Sequence, residues 1–328
     1  MYKDLSYGSH DRNVLDVSIP AGAAPQGVIL FIHGGVWLYG SKENYPVFLD
    51  LFRDRFIVAS MNHRYIDETV HINDLMDDVT AALDCLRDFS AKNYGDPGKL
   101  IIMGHSSGAH LAMLYAYQRS ETCPIPIAFC LGIAAPSDLS DIAYLYNLRK
   151  RGREKFFYRL AQKLSGYQLA EGDITGEGYS ESGRKMLASI SPLFFVNPGS
   201  PPTIIVHDVA DRLVPYANSA ALHSVLTAYG VDHSFLASYS GIGHLLGGKR
   251  TKGKALRYNA AMESWIVRVM NEYIKKYFSY GESLSSKYGF AKKDVNDEIK
   301  KYREWELARQ TYSGDKGNYG AGEPVARA

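Results

Sequence analysis

Cysteine is scarce in this chain, with only Cys85, Cys123 and Cys130 among 328 residues. No two of them stand at a clip or metal-site spacing, so neither a disulfide framework nor a thiolate site is expected, and the thiols read as buried groups in a reducing compartment. No apolar run approaches the ~18 residues that a membrane span requires. Met1–Ser6 also lacks the hydrophobic core of a signal peptide, so a soluble, unexported, cytoplasmic protein is expected. Neither sign of charge dominates, since 37 basic residues face 35 acidic ones. That balance argues for neither nucleic acid nor an anionic membrane as partner. No group of His, Cys, Asp and Glu has metal-ligand spacing, so no metal or other cofactor is expected. A small-molecule substrate is left as the natural partner.

What the chain does contain is an apolar run, 99–103, that meets Gly104-His105-Ser106-Ser107-Gly108 and passes directly into a helix-forming pattern. Strand, sharp turn and helix in that order are the context of a nucleophile elbow, with Ser106 as the nucleophile. Gly104 and Gly108 are needed because a Cβ at either place would collide with the neighbouring strand or helix. A Gly-x-Ser-x-Gly string alone is weak, turning up by chance in roughly one chain in ten of this length. A second motif strengthens it: the apolar run 28–32 ends abruptly in His33-Gly34-Gly35-Val36-Trp37. Only a glycine-rich loop brings bare backbone N–H groups close to a developing oxyanion.

The His-Gly-Gly-x-Trp loop and the Gly-His-Ser-x-Gly-Ala-His elbow together resemble the α/β-hydrolase superfamily, in the branch of small carboxylesterases and kynurenine formamidases. Val36 stands where the hormone-sensitive-lipase branch usually has a third glycine. The resemblance covers roughly residues 7–279, and it implies an α/β fold with a mostly parallel sheet between layers of helices.

The rest of the pattern agrees with that class. Val14, Leu15, Val17 and Ile19 suggest an edge strand, and 56–61 another strand that ends in Asn62-His63-Arg64-Tyr65. The latter resembles the family's Tyr-Arg pair in altered order. Apolar residues recur at 3.6-residue spacing over 72–93, predicting a crossover helix that Gly95–Gly98 stops. Strands at 127–133, 203–208 and 234–238 and helices at 107–119, 216–229 and 254–278 complete an alternating order, which means a parallel sheet covered on both faces.

Between about 137 and 191 the alternation breaks. Phe156, Phe157, Leu160, Ala161 and Leu164 fit one helix face, ringed by Arg149, Lys150, Arg151, Arg153, Lys155, Arg159 and Lys163. The resemblance implies a cap inserted after the sixth strand, where such enzymes place substrate-selecting elements; the alternative is a surface helix with a solvated basic face. The catalytic domain is expected to span 1–279. Residues 280–328 read as a polar tail in which Val295, Ile299, Tyr302 and Trp305 behind Asp294 form one amphipathic stripe able to support self-association. The last stretch, 313–328, has a disordered composition.

The segment His207-Asp208-Val209-Ala210-Asp211-Arg212-Leu213-Val214-Pro215 resembles the family's His-Gly-x-x-Asp-x-x-Val-Pro, which maps the acid onto Asp211. Asp208 stands where glycine is usual and remains a rival. His244, on a glycine loop after the last strand, completes the order Ser, Asp, His. Serine oxygen is a poor nucleophile at neutral pH, so Ser106 needs His244 as base and an acid to fix the imidazole. Backbone N–H groups of Ser107, Gly34 and Gly35 would hold the oxyanion. Trp37 either lines the acyl pocket or packs beside the loop. His33, His105 and His207 read as braces for their loops, and His110 as a buried helix residue.

The function expected from this pattern is a serine hydrolase of small acyl esters. An arylformamidase and a deacetylase of acetylated carbohydrate are the enzymatic alternatives. A binding protein that keeps the fold without chemistry is the alternative of another class, and it would be expected to show gaps among the three catalytic positions. All three are filled. Short acyl chains are expected, because no extended apolar lid is visible in the sequence.

Overall fold

The computed structural model describes residues 1–278 except 22–23, 142, 145–153, 169, 171, 176–177 and 252–253. Two compact units divide the chain, Met1–Phe290 and Ala291–Ala328. The second lies wholly outside the described residues, as do the tail stripe and Arg149, Lys150, Arg151 and Arg153.

The first unit is built on an eight-stranded sheet: β1 (Tyr2–Ser6), β2 (Val14–Ser18), β3 (Gly27–Ile32), β4 (Ile57–Met61), β5 (Lys99–His105), β6 (Ile127–Ile133), β9 (Thr203–Asp208) and β10 (His233–Ser238). Their spatial order is β1-β2-β4-β3-β5-β6-β9-β10. β1 and β2 pair antiparallel, as do β2 and β4, and every other neighbour is parallel. The crossover helices are α1 (Ile72–Asn93), α2 (Ser107–Arg119) and α5 (Tyr216–Ala228), and α6 (Ala260–Tyr277) follows the last strand.

Alternation along the strands divides the core. Val28, Leu30 and Ile32 of β3 pack with α1, α2 and α5, while Ile29 and Phe31 pack with α6 and the 3₁₀ turn at Val47–Phe52. Both strand faces are therefore apolar, the signature of a covered parallel sheet. At about 25 cal/mol per Å² of apolar surface removed from water, these two layers supply the main force that holds the sheet together.

Two sequence expectations need correction. The edge strand is β1, not the strand around Val14 and Leu15, which lies one place in as β2. β1 escaped notice because Tyr2-Lys3-Asp4-Leu5-Ser6 is polar and mostly exposed. Its pairing is also irregular, with a register shift between Tyr2 and Leu5 around Asp4 at φ 53. The closing helix begins at Ala260, where the Asn259 side chain caps it by accepting the Ala261 N–H. Residues before it form β11 (Lys249–Arg250) and β12 (Leu256–Arg257) instead. Arg64, in the stretch that resembles the Tyr-Arg pair in altered order, pairs its guanidinium with Asp78 at 3.0 Å.

Between β6 and β9 the chain leaves the sheet. The described part consists of α3 (Glu154–Ser165), the small hairpin β7 (Ile174–Thr175) and β8 (Gly178–Tyr179), and α4 (Glu181–Ser189). Phe157, Leu160, Ala161 and Leu164 are buried while Phe156 stays exposed. No helix among the described residues is long and apolar enough to cross a membrane.

Candidate active site

β5 delivers the chain to Ser106, which takes φ 57 and ψ −125 before α2 begins at the next residue. A non-glycine residue in the left-handed region is strained by about 1–3 kcal/mol, and the packing on each side must hold it there. Two glycines allow that packing. A Cβ on Gly104 would lie 2.3 Å from the backbone of Gly108, and one on Gly108 would lie 2.1 Å from the carbonyl oxygen of Ile32. Strand and helix therefore touch backbone to backbone. Ser106 is pinned between them, its N–H donating to Ile133 at 2.8 Å.

The Ser106 hydroxyl reaches His244 Nε2 at 2.9 Å, and His244 Nδ1 reaches Asp211 Oδ2 at 2.7 Å. The three side chains thus form one continuous hydrogen-bonded chain. Ser106 comes from the β5–α2 turn, Asp211 from the loop after β9 and His244 from the loop after β10, all at the carboxyl ends of parallel strands. Asp211 is held on every side: Oδ1 accepts the N–H groups of Leu213 at 2.8 Å and Val214 at 3.0 Å, and Oδ2 also accepts from His207 Nε2 at 3.1 Å. Burial acts to raise the pKa of this carboxyl, but the hydrogen bonds from His207 and His244 prevail and hold it well below the usual carboxylate range. It stays ionised. His207 in turn contacts the Ser219 hydroxyl at 2.6 Å, a partner that sequence reasoning missed because nothing marks one buried helix serine among others.

Asp208 does not touch the imidazole. Its carboxylate accepts the backbone N–H of Gly243 at 2.9 Å instead, one residue before His244. Of the two rival acids, Asp211 alone faces the histidine. His105 supports the same loop from below, contacting the His244 carbonyl oxygen at 3.0 Å. Burial pushes the His105 imidazole down to about 3, so it is neutral at ordinary pH and its Nε2–H donates.

The glycine loop lies directly beside Ser106. A Cβ on Gly34 would fall 3.1 Å from Ser106 Cβ, and Gly35 at φ 130 brings its backbone so close to Tyr39 that a Cβ would lie 2.0 Å from that carbonyl oxygen. Val36 and Trp37 both follow at φ 57. Among the described residues, the N–H groups of Gly34, Gly35 and Ser107 donate to no backbone carbonyl. Ser107 N–H also belongs to the first turn of α2, where helix N–H groups lack intrahelical acceptors and the dipole favours negative charge. Trp37 is buried and packs edge-on against His110, ring centroids 4.9 Å apart. His33 is fully buried, and burial together with the neighbouring His63 holds its imidazole well below the usual range.

No group of three or more His, Cys, Asp or Glu among the described residues is placed to hold a metal ion. The arrangement offers a hydroxyl nucleophile, a base that an ionised acid orients, and N–H donors beside them. That set suits attack on an acyl carbonyl.

Known proteins resemble this chain in several ways. The BD-FAE family model matches residues 15–226. The chain is similar to the isoprenylcysteine alpha-carbonyl methylesterase of Arabidopsis thaliana, 27% identical over 252 residues that make up 74% of this chain and 56% of that protein. It is also similar to esterase LipQ of Mycobacterium tuberculosis, 26% identical over 235 residues, 69% of this chain and 53% of that one. The chain thus spans just over half the length of these relatives. Among solved structures, a truncated carbohydrate esterase from gut microbiota superposes with a TM-score of 0.61 at 19% identity, covering 85% of this chain and 96% of that one. At that identity the likeness shows the fold alone, and the fold is that of the α/β-hydrolases.

Proposed function

The chain belongs to the BD-FAE family, and from that premise we propose that it is a carboxylic ester hydrolase acting through a Ser106-His244-Asp211 triad on small esters with short acyl groups. One observation carries the reading: the unbroken hydrogen-bond chain of 2.9 and 2.7 Å from Ser106 through His244 to Asp211. His244 Nε2 takes the Ser106 proton as the oxygen attacks the ester carbonyl, and Asp211 fixes the tautomer that leaves Nε2 free to do so. Negative charge collects on the carbonyl oxygen, within reach of the N–H groups of Ser107, Gly34 and Gly35. One such donor is worth about 3 kcal/mol of barrier. His244 then returns the proton to the leaving alcohol and activates a water that hydrolyses the acyl-enzyme. No metal or cofactor enters this scheme.

The short-acyl preference rests on the segment between β6 and β9. Its described helix, α3, carries Lys155, Arg159 and Lys163, and Lys163 pairs with Glu68 at 2.8 Å. A segment so dense in charge offers a long alkyl chain little apolar surface. The three cysteines are free thiols, which suits a reducing compartment, and we place the enzyme in the cytoplasm.

A hydrolysis screen tests the reading with nitrophenyl esters from acetyl to octanoyl, N-formylkynurenine and an acetylated carbohydrate. The acetyl ester should turn over faster than the octanoyl ester. The reverse order would overturn the short-acyl assignment, and turnover of N-formylkynurenine alone would make the protein a formamidase. Turnover of none, with Ser106 inert to a fluorophosphonate, would leave a binding protein on a hydrolase fold.

A further inference from the structure

The acid of the site has a buried neighbour that the chemistry above does not use. Asp208, the last residue of β9, is fully buried, and its carboxylate lies against the backbone that carries His244 rather than against the imidazole. Oδ1 accepts the N–H of Gly243 at 2.9 Å and of Ala210 at 2.9 Å. Oδ2 accepts the Ser238 hydroxyl at 2.8 Å and the N–H of Ile242 at 3.3 Å. A carboxylate offers about four lone-pair directions, and here each meets a donor. The donors come from the end of β10, the base loop and the acid loop. The backbone N–H of Asp211 meanwhile donates to the Asp208 carbonyl at 3.0 Å. One residue therefore grips both the turn that carries the acid and the loop that carries the base.

Within that loop the Gly247 N–H donates to the Ile242 carbonyl at 3.0 Å and the Leu246 N–H to the Gly243 carbonyl at 2.9 Å, closing the turn around the histidine. Gly241, Gly243 and Gly247 all stand at φ 68 and Leu246 at φ 49. Glycines in the left-handed region confer the greatest conformational freedom in the unrestrained chain. His105 grips the His244 carbonyl, while the N–H groups of Ile242 and Gly243, just before the histidine, donate to Asp208.

We propose that Asp208 is the positioning residue of the base. By holding the N–H groups of Ile242 and Gly243 it sets the backbone from which His244 reaches Asp211 and Ser106 together. The inference rests on the reading of His244 as the base.

The test compares Asp208→Ala, Asp208→Asn and Ser106→Ala in the full chain. Three quantities are measured: the thermal melt, kcat and KM for nitrophenyl acetate, and the deshielded proton resonance of the His244 Nδ1–H bonded to a carboxylate. Misplacing a catalytic group by about 1 Å costs on the order of 10²-fold, so Asp208→Ala should lower kcat about 10- to 100-fold with KM changed less than about twofold. It should still melt cooperatively, and the resonance should vanish. Asp208→Asn keeps an oxygen for Gly243 and Ala210 and should recover most of kcat. A folded Asp208→Ala with wild-type kcat and an intact resonance overturns the proposal, and so does an equal kcat loss in both variants with the resonance unchanged. Should Asp208→Ala not fold, Ser238→Ala decides, because it removes only the hydroxyl donor to Oδ2. A few-fold loss with a broadened resonance supports the proposal, and no change in either overturns it. Ser106→Ala keeps the two readings apart. Full turnover there removes Ser106 as nucleophile and with it the triad reading, whereas the resonance reports on the His244–Asp211 contact whatever the reaction.

Discussion

Gly108→Ala should cripple turnover far more than it destabilises the fold. Gly108 lies in the first turn of α2, and an added Cβ would stand 2.1 Å from the Ile32 carbonyl oxygen and 2.4 Å from that of His33. Both are backbone atoms of the strand end and its loop, so neither swings aside as a side chain would. Restoring van der Waals separation requires α2 to retreat by about 1 Å. Overpacking of this kind costs about 1–3 kcal/mol. In a domain this large that lowers Tm by about 2–4 °C per kcal/mol, leaving the protein folded at 25 °C. The retreating helix carries with it the Ser107 N–H and the turn that presents Ser106. A 1 Å error in reacting groups costs on the order of 10²-fold, so kcat should fall about 100-fold while the melt remains cooperative. Gly95→Ala is the control, since its Cβ would meet nothing within 4 Å although its φ is 95. That variant should lose stability through backbone strain and keep its kcat. Steady-state kinetics beside calorimetry on both variants decide the matter. Wild-type kcat in Gly108→Ala would refute the claim that backbone contact between strand and helix sets the nucleophile.

Two further outcomes follow from the same geometry. Asp211→Asn should lower kcat by about 10³- to 10⁴-fold with KM nearly kept, because the amide nitrogen must face either the Leu213 and Val214 N–H groups or the two imidazoles; a loss below tenfold would contradict the role given to the acid. The buried rings His63, His105 and His110, pushed by burial down to about 4, about 3 and about 4, predict acid lability. Each stays neutral in the fold while the unfolded chain takes up a proton near 6.5, so stability is complete above that pH and falls as the pH drops towards 4. The loss is on the order of 3 kcal/mol per ring. Asp211, held low, adds a loss of the same sign at still lower pH. Thermal melts from pH 7 to pH 4 should show Tm falling throughout, and a flat or rising Tm would be the contrary result.

Much of the fold was legible in the sequence because its elements are long and strongly patterned. The run from 72 to 93 became α1 at those bounds, and Lys99–His105 became β5, since burial of a stripe or of both strand faces leaves a periodic trace. β1 left no trace because it buries little. The segment between β6 and β9 was visible only as a break in the alternation. The turn at Ser106 was legible through its glycines, whose contacts are backbone on backbone and tolerate no substitute. Support for the triad was legible only in part: His105 and His207 read as braces, and they contact the His244 carbonyl and Asp211, but the rest was not. Ser219 behind His207 and the grip of Asp208 on Gly243 arise from the tertiary meeting of β9, α5 and the base loop, and a single buried serine or aspartate carries no periodic or spacing signal. Asp208 did stand out as a departure from the family's glycine, but its place in the sequence suggested a rival acid. Only its hydrogen bonds reveal a brace.

The central claim is that Ser106 is the nucleophile. Intact-mass spectrometry after exposure to a fluorophosphonate, beside ester turnover, tests it on the wild-type chain and on Ser106→Ala. The account predicts one adduct per wild-type chain, mapped to Ser106 and accompanied by loss of hydrolysis, with neither adduct nor turnover in a Ser106→Ala protein that melts normally. An adduct on another residue, or a folded Ser106→Ala that retains more than a few per cent of wild-type turnover, would contradict it.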